Sequence, residues 1–306
     1  MRRLTALVAL LTVVPASVAS ATTLEELLEQ SHGSSYSAEQ IISCSTPDGV
    51  RDAIVRIEQS GEDIHVSSVM LGQAELSTGS GGWTLSRQGG VVSSVAVESG
   101  SDEVEPLYQV EDAGSTSHLG GPATIHRLLR SGVLRAELTF DEATGALMAA
   151  TTFSADGTTY CERRFVSFDP TDPGFEPIGE PTGTELVPVD TATALPELIA
   201  GFERLDLDED GDGFVFAYYS DGFFSFAVFE TPVAVLLADG VDVDLAEGVY
   251  QRAFTAGQVT YVWETPQGGM ALVGDLPPDL HEVVLSALPD PEPPGLLRRW
   301  WRRLFG

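Results

Sequence analysis

Alternation of apolar and polar side chains is the dominant pattern along this chain. Ala53, Val55 and Ile57 alternate with polar neighbours, interrupted only by Ile54 on the opposite face. Segment 134–140 alternates without a break, with Leu, Ala, Leu and Phe at its even positions. Since successive side chains of a strand point to opposite faces, both runs predict half-buried β-strands.

Short turn sequences join many of these strands. Segment 141–145 leads into the apolar run 147–153, and Asp156-Gly157 leads into a further strand that ends near Phe168. Asp-Gly between alternating runs is a strong hairpin signal. The first half is therefore predicted to be an antiparallel meander. A short helix precedes it, because residues 23–26 form the sequence of a capping box.

The pattern resumes after a proline-rich stretch. Segments 214–219 and 223–229 predict a hairpin that is rich in aromatic side chains, and 258–263 with 270–273 predict a second strand pair. Pro278 is placed to open a helix with apolar side chains at helical spacing. These signals predict a smaller sheet-and-helix domain and an α+β fold for the chain.

The N-terminus has the composition of a secretory signal peptide. Arg2 and Arg3 precede the uncharged apolar run 4–14, Pro15 breaks that run, and Ala19-Ser20-Ala21 offers small residues for cleavage. The run is short for a membrane-spanning helix. We therefore expect export to the periplasmic or cell-surface side of the cytoplasmic membrane, as a peripheral protein.

Taken together, the signals predict five segments. They are a signal peptide at 1–21, a first domain at 22–168, a proline-rich linker at 169–194, a second domain at 195–290, and a proline spacer with an Arg/Trp tail at 291–306.

Charge narrows the range of partners. The chain has 46 acidic residues against 16 basic ones, all of them Arg, and a formal net charge of −30. Such a field repels nucleic acid and anionic lipid from most of the surface. The tail is the exception, because Arg and Trp side chains suit an anionic membrane surface. Either it contacts the membrane or it docks on the acidic body; the residues concerned are Arg298, Arg299, Trp300, Trp301, Arg302 and Arg303.

Two cysteines, Cys44 and Cys161, are open to two interpretations: a disulfide or two buried thiols. Export favours the disulfide, which would contribute about 4 kcal/mol in the chain-entropy model.

Segment 206–213 resembles the start of a calcium loop, but Ala217 stands where the bidentate Glu is required. An acidic, solvated connection is therefore the favoured interpretation over a calcium site.

Sequence motifs for catalysis or cofactor binding are missing from the chain. It has no H-E-x-x-H pattern, no G-x-S-x-G elbow, no phosphate-binding loop and no dinucleotide fingerprint. We therefore predict a protein that is not an enzyme and needs no cofactor. Aromatic side chains instead suggest binding: Trp83 either lines a pocket or fills a core, and the turn around Phe223 either anchors a partner or completes a small sheet.

Several segments together resemble the MucB/RseB family of envelope-stress regulators, whose first domain is related to the lipoprotein carriers LolA and LolB. They are 35–37, 107–110, 119–123, 140–147, 219–229 and 273–277. The resemblance implies a curved, half-open antiparallel sheet with covering helices that holds a lipid or acyl chain, with Tyr36 and Trp83 as ligand contacts. It also implies a second domain that binds a membrane-bound anti-sigma factor through Tyr219, Asp221, Gly222, Phe223 and Phe224. The composition looks more like the versions of high-GC Gram-positive bacteria.

Three hypotheses follow. The first is a negative regulator of an envelope-stress sigma factor that binds an anti-sigma factor and senses a lipid or lipoprotein. The second is a lipid or lipoprotein carrier without a signalling role. The third is an exported hydrolase with an unrecognised site, which the missing motifs disfavour.

Overall fold

The computed structural model describes most of residues 22–292. The residues that are not described are 1–21, 48, 62, 69–74, 80–81, 88–89, 96–106, 175–186, 189–194, 210–212, 233–234, 236, 238–239, 246–247, 256 and 293–306. The predicted signal peptide and the Arg/Trp tail thus lie outside the described residues.

Two antiparallel sheets follow one another along the chain. The first sheet has eleven strands: β1 (Ser35–Thr46), β2 (Gly49–Ser60), β3 (Asp63–Ser68), β4 (Glu75–Gly79), β5 (Gly82–Arg87), β6 (Gly90–Val95), β7 (Gln109–His118), β8 (Gly121–Arg130), β9 (Val133–Asp141), β10 (Leu147–Phe153) and β11 (Thr159–Asp169). Their spatial order is β6-β5-β4-β3-β2-β1-β11-β10-β9-β8-β7. The first and last strands of the meander therefore pair at its centre, and β6 and β7 are the two edges.

The first sheet curls strongly on the side of β7. His118, at the end of β7, has its Nε2 atom 3.1 Å from the carbonyl oxygen of Phe165 in β11. Three strands lie between β7 and β11 in the order of the sheet. A contact across them requires a curved sheet, as the resemblance implied.

The second sheet has nine strands: β12 (Val187–Pro188), β13 (Leu198–Ile199), β14 (Phe202–Glu209), β15 (Val215–Ser220), β16 (Ser225–Thr231), β17 (Val241–Leu245), β18 (Gly248–Thr255), β19 (Gln258–Thr265) and β20 (Gly268–Gly274). The order is β12-β14-β15-β16-β20-β19-β18-β17, with β13 paired to β14. Both hairpins predicted for this half are present, since β15 pairs with β16 and β19 with β20.

Two helices accompany the sheets in the part of the chain that the structure describes. Helix α1 (Leu24–His32) begins with the predicted capping box, in which the Glu26 N–H donates to Thr23 Oγ1 at 3.1 Å and the Thr23 N–H donates to Glu26 Oε2 at 2.9 Å. It buries Leu27 against Leu128 and Leu138 of the first sheet. Helix α2 (Pro278–Leu285) begins at the predicted proline and buries Val284 in the core of the second sheet. The α+β fold class is thus confirmed.

Two further observations concern the sequence predictions. Within the described residues, no helix combines the length and apolar character needed to cross a membrane. The interpretation of 206–213 as a solvated connection is wrong for its first half, because Asp206 and Asp208 lie in β14. Asp208 is buried, and this burial raises the pKa of its carboxyl group. Asp210–Asp212 lie outside the described residues.

Candidate functional site at the interface between the two sheets

The turn between β15 and β16 inserts its Asp221 against the first sheet. Asp221 Oδ1 accepts hydrogen bonds from the N–H groups of Phe223, at 3.1 Å, and Phe224, at 2.8 Å. Its Oδ2 accepts from the Tyr108 hydroxyl at 2.7 Å and from Arg130 Nη1 at 2.6 Å. The carboxylate has no exposed side-chain surface. Burying a charge is costly unless it is paired and hydrogen-bonded, and these four donors meet that condition.

Tyr108 and Phe223 extend this contact with an apolar one. Their rings meet edge to face, with centroids 5.9 Å apart. Phe223 also packs against the cores of both sheets. Burial raises the pKa of the Tyr108 hydroxyl, and the Asp221 charge raises it further. The hydroxyl therefore stays protonated and serves as a donor to the carboxylate.

Arg130 is positioned by the hairpin turn that follows β8. Ser131 and Gly132 have φ values of 52° and 76°, which is the type I′ geometry of a two-residue hairpin. Arg130 Nη2 donates to the carbonyl oxygen of Ala200 at 3.2 Å. A β-carbon built on Gly201 would fall on this guanidinium group, so a larger residue there would displace the end of the Arg130 side chain.

Arg135 reaches the second sheet because of a β-bulge. Leu129 pairs with Leu134 while Leu128 pairs with Ala136, which leaves Arg135 as the extra residue of β9. Its side chain is 6% exposed and donates to both carboxylate oxygens of Asp279, at 2.8 and 3.3 Å. Because Asp279 lies in the first turn of α2, its charge also suits the helix dipole.

The third ion pair joins Arg163 of β11 to Asp275, with Nη2 and Oδ2 3.3 Å apart. Asp275 also accepts a hydrogen bond from the Ser225 N–H at 3.3 Å. Burial raises the pKa of the Asp275 carboxyl group, and the neighbouring Arg163 charge partly offsets this.

The expected disulfide lies beside this pair. Cys44 and Cys161 face each other in β1 and β11 and are bonded. Gly257, in the turn between β18 and β19, lies directly over them: a β-carbon on it would be 3.4 Å from Cys44 Sγ and 2.9 Å from Ile42. Both half-cystines are only 2% exposed. The second sheet thus contacts the first at its centre as well as near β8 and β9.

All three ion pairs have the same polarity. The arginines come from the first sheet, and the aspartates come from the second sheet, its loops and α2. In a chain with only 16 basic residues against 46 acidic ones, this interface concentrates scarce positive charge. The three ion pairs join the two sheets, and their six side chains include no nucleophile paired with a general base. No group of His, Cys, Asp and Glu suited to a metal ion is present among the described residues.

The predicted partner-binding residues belong to this interface or to the core behind it. Tyr219 and Phe224 are 0% and 1% exposed and lie in the core of the second sheet, while Asp221 is buried between the sheets. Gly222 is exposed and Phe223 is partly exposed. In this arrangement a partner reaches only these last two.

The structure describes the side chain of only one of the two predicted ligand-binding residues, Tyr36. Tyr36 is 5% exposed and packs on Phe165 and Phe168, each with its ring centroid 5.5 Å away. Phe168 borders a shallow depression of about 240 Å³ whose other walls are mostly polar, including Glu39 and Arg56. Trp83 lies in β5, paired to Thr78 and Val95, but its side chain is outside the described residues. Arg298 to Arg303 are also outside them.

Sequence reasoning missed the interface residues of the first sheet. Arg130, Arg135 and Arg163 lie in strands whose alternation assigns them no special role. The scarcity of arginine is the signal that was available, since three of the few cations fall in adjacent hairpins. Their three aspartate partners are far away in sequence and are hidden among many other acids.

Comparisons with known proteins find similar solved structures but no similar sequence family. No protein-family model matches the chain, and no curated protein sequence matches it. A chain in the complex structure of Pseudomonas aeruginosa MucA/MucB is similar over 88% of this chain and 98% of its own length, with a TM-score of 0.51 and 15% identity. A crystal structure of MucB covers 87% and 96%, with a TM-score of 0.49 and 17% identity.

A LolA superfamily protein from Nitrosomonas europaea covers 50% of this chain and 95% of its own, with a TM-score of 0.26 and 9% identity. The likeness to the chain of the MucA/MucB complex concerns the fold. The high-GC Gram-positive type suggested by composition finds no support among these structures.

Proposed function

Because the chain has a MucB/RseB-like fold, we propose that it is an extracytoplasmic binding protein that holds the outer segment of a membrane-bound anti-sigma factor. In this role it is a negative regulator of an envelope-stress sigma factor. The observation that carries the proposal is the likeness of both sheets together to one chain of a MucA/MucB complex, over 88% of this chain. A carrier related to LolA alone would need only the first sheet.

The interface supports a binding function rather than a catalytic one. Three buried or partly buried ion pairs fix the second sheet on the first, and the Asp221 turn leaves Gly222 and part of Phe223 at the surface. We propose that a partner contacts this tip. Asp221, Tyr219 and Phe224 would hold the tip in shape from behind.

A lipid or lipoprotein acyl chain is the second part of the proposal. The aromatic group of Tyr36, Phe165 and Phe168 supports it, since Phe168 opens onto the surface depression beside β1 and β11. An acyl chain would have to enter between these rings. The Arg/Trp tail at 298–303 would bring the acidic body to an anionic membrane surface.

Capture from the host's own detergent-solubilised membranes tests the proposal. The bait is the chain without residues 1–21, and bound proteins and extracted lipids are both identified by mass spectrometry. We expect enrichment of a single-span membrane protein whose cytoplasmic part binds a sigma factor. Phe223→Ala is expected to reduce this enrichment, while Val283→Ala, at an exposed apolar position of α2, serves as the matched control.

The opposite result is equally informative. Lipid or lipoprotein recovered without such a membrane protein would contradict the regulator and favour a carrier. The second sheet would then need a different role.

A further inference from the structure

Strand β7 is an edge strand that no described strand or helix covers. Eight of its ten residues are exposed, and only Val110 and His118 are partly buried. It pairs with β8 on one side, and no described strand pairs with its other side. The strand therefore adds little apolar burial to the first sheet while presenting a long backbone edge to solvent.

The direction of the backbone groups follows from the turn that joins β7 to β8. Leu119 and Gly120 have φ values of 49° and 85°, so the hairpin has a two-residue type I′ loop. The residues flanking such a loop, His118 and Gly121, exchange hydrogen bonds, and the pairs beyond them alternate. Thr116 therefore bonds to β8, whereas Ser115 and Ser117 point their N–H and C=O groups outward.

An independent contact agrees with this assignment. Ser117 pairs with Pro122, and the carbonyl oxygen of Pro122 accepts a hydrogen bond from the Glu142 N–H at 3.1 Å. Pro122 thus directs its polar group away from β7. Ser117, opposite it, directs its own away from β8.

The usual protections of an edge strand are missing from the outer half of β7. Lys and Pro, which block edge-to-edge pairing, are absent from residues 109–118. A register shift between Asp112 and Gly114 makes a bulge, with Asp112 Oδ1 accepting from the Gly114 N–H at 2.7 Å. Beyond it, Ser115, Thr116 and Ser117 form a regular edge with small side chains.

Charge decides between the possible occupants of this edge. A second copy would bring a formal net charge of −30 against an equal charge, with Glu111 and Asp112 on each facing strand. A segment with Lys or Arg side chains is instead attracted. We propose that β7 is a docking edge for an extended, basic segment of a partner protein, which adds to the first sheet as a twelfth strand.

The inference deepens the proposed function and rests on it in one respect: the added strand would belong to the partner that the chain holds. The edge is well placed for this. Tyr108, which holds Asp221 at the interface, is the residue immediately before β7. A segment bound along the whole of β7 would thus have one end beside the junction of the two sheets, while Ser115 and Ser117 lie towards the other end of the strand.

The test uses the full chain and a phage-displayed library of random twelve-residue peptides, so that it does not depend on the identity of the partner. Selected peptides are compared for binding to the native chain, to Ser117→Pro and to Ser117→Ala. Proline removes an outward N–H without removing a bond to β8. We expect basic, strand-forming peptides that bind Ser117→Pro about tenfold more weakly and Ser117→Ala nearly unchanged.

A second measurement does not need the variant to fold well. Amide hydrogen exchange of the native chain is measured with and without the best peptide, and protection of Ser115 and Ser117 is expected. Failure to select any peptide, equal binding to both variants, or no protection at these amides would overturn the docking edge. Membrane capture is a separate experiment: an anti-sigma factor retained by Ser117→Pro leaves the proposed function intact and removes the edge from it.

Discussion

Arg130 and Asp221 join the two sheets through an ion pair in which Arg130 Nη1 lies 2.6 Å from Asp221 Oδ2 and the carboxylate is fully enclosed. The same carboxylate closes its own turn by accepting two backbone N–H groups through Oδ1. One side chain therefore shapes the β15–β16 turn and attaches it to β8. The tip of the second sheet and its position on the first are coupled through this carboxylate.

Asp221→Asn is expected to destabilise the chain by about 2–4 kcal/mol, because it leaves Arg130 partly buried without a counter-charge. Urea unfolding measures the loss. Arg127→Ala is the control, because Arg127 lies on the same strand as Arg130. It removes the exposed ion pair with Glu137 and is expected to lower the free energy of unfolding by less than about 1 kcal/mol. Equal losses in the two variants would show that the buried pair has no special role in stability.

Gly201→Ala is expected to weaken the interface more than Gly222→Ala. Both glycines have positive φ, 86° and 88°, so the backbone strain is similar. Only at Gly201 does the added methyl group meet a neighbour, the Arg130 guanidinium. The excess destabilisation, measured by urea unfolding, should disappear when Arg130→Ala is added, since the two sites then no longer couple. An excess that persists would mean that the crowding arises elsewhere.

The local elements of this fold were predictable because each has a local cause. The capping box at Thr23 starts α1, Pro278 starts α2, and clean alternation marks β9. The interface was not predictable in the same way. Arg135 lies on the inner face because of a bulge, and strict alternation would place it on the other side from Ala136.

The aromatic hairpin around Phe223 illustrates the same limit. Its sequence is equally compatible with a partner-binding anchor and with a packed core, because apolar side chains at a turn look alike in both. In the structure the hairpin does two things: Tyr219 and Phe224 fill a core, and Phe223 bridges to Tyr108. Which side chains remain at the surface depends on the first sheet, where Tyr108 lies 113 residues before Asp221 in sequence.

Removing the disulfide is expected to destabilise the chain by about 4–5 kcal/mol, because Cys44 and Cys161 are 117 residues apart and the bond restricts a long loop in the unfolded state. Urea unfolding is compared for the native chain and for the double variant Cys44→Ala with Cys161→Ala. Reductant is expected to lower the unfolding midpoint of the native chain only. A midpoint in the native chain that does not respond to reductant under unfolding conditions would contradict a stabilising bond.

The stability of the chain is expected to fall between pH 6.5 and pH 4 because of His281. The imidazole donates from Nε2 to the Leu276 carbonyl at 2.8 Å and accepts at Nδ1 from the Tyr261 hydroxyl at 2.9 Å. Burial lowers its pKa from the ordinary 6.5 to about 4. As the pH falls through this window, the unfolded chain binds a proton that the folded chain does not bind. The free energy of unfolding therefore falls by about 3 kcal/mol once this protonation is complete.

Urea unfolding at several pH values measures this effect in the native chain, in His281→Gln and in His32→Gln, which controls for loss of an exposed imidazole. His281→Gln is expected to be less stable at pH 7, where it loses the buried hydrogen bonds, and to show a shallower decline towards pH 4. Its curve should therefore approach that of the native chain in acid. Parallel curves for the native chain and His281→Gln would assign the acid sensitivity to other groups, since protonation of a buried imidazole at this position requires the two to converge.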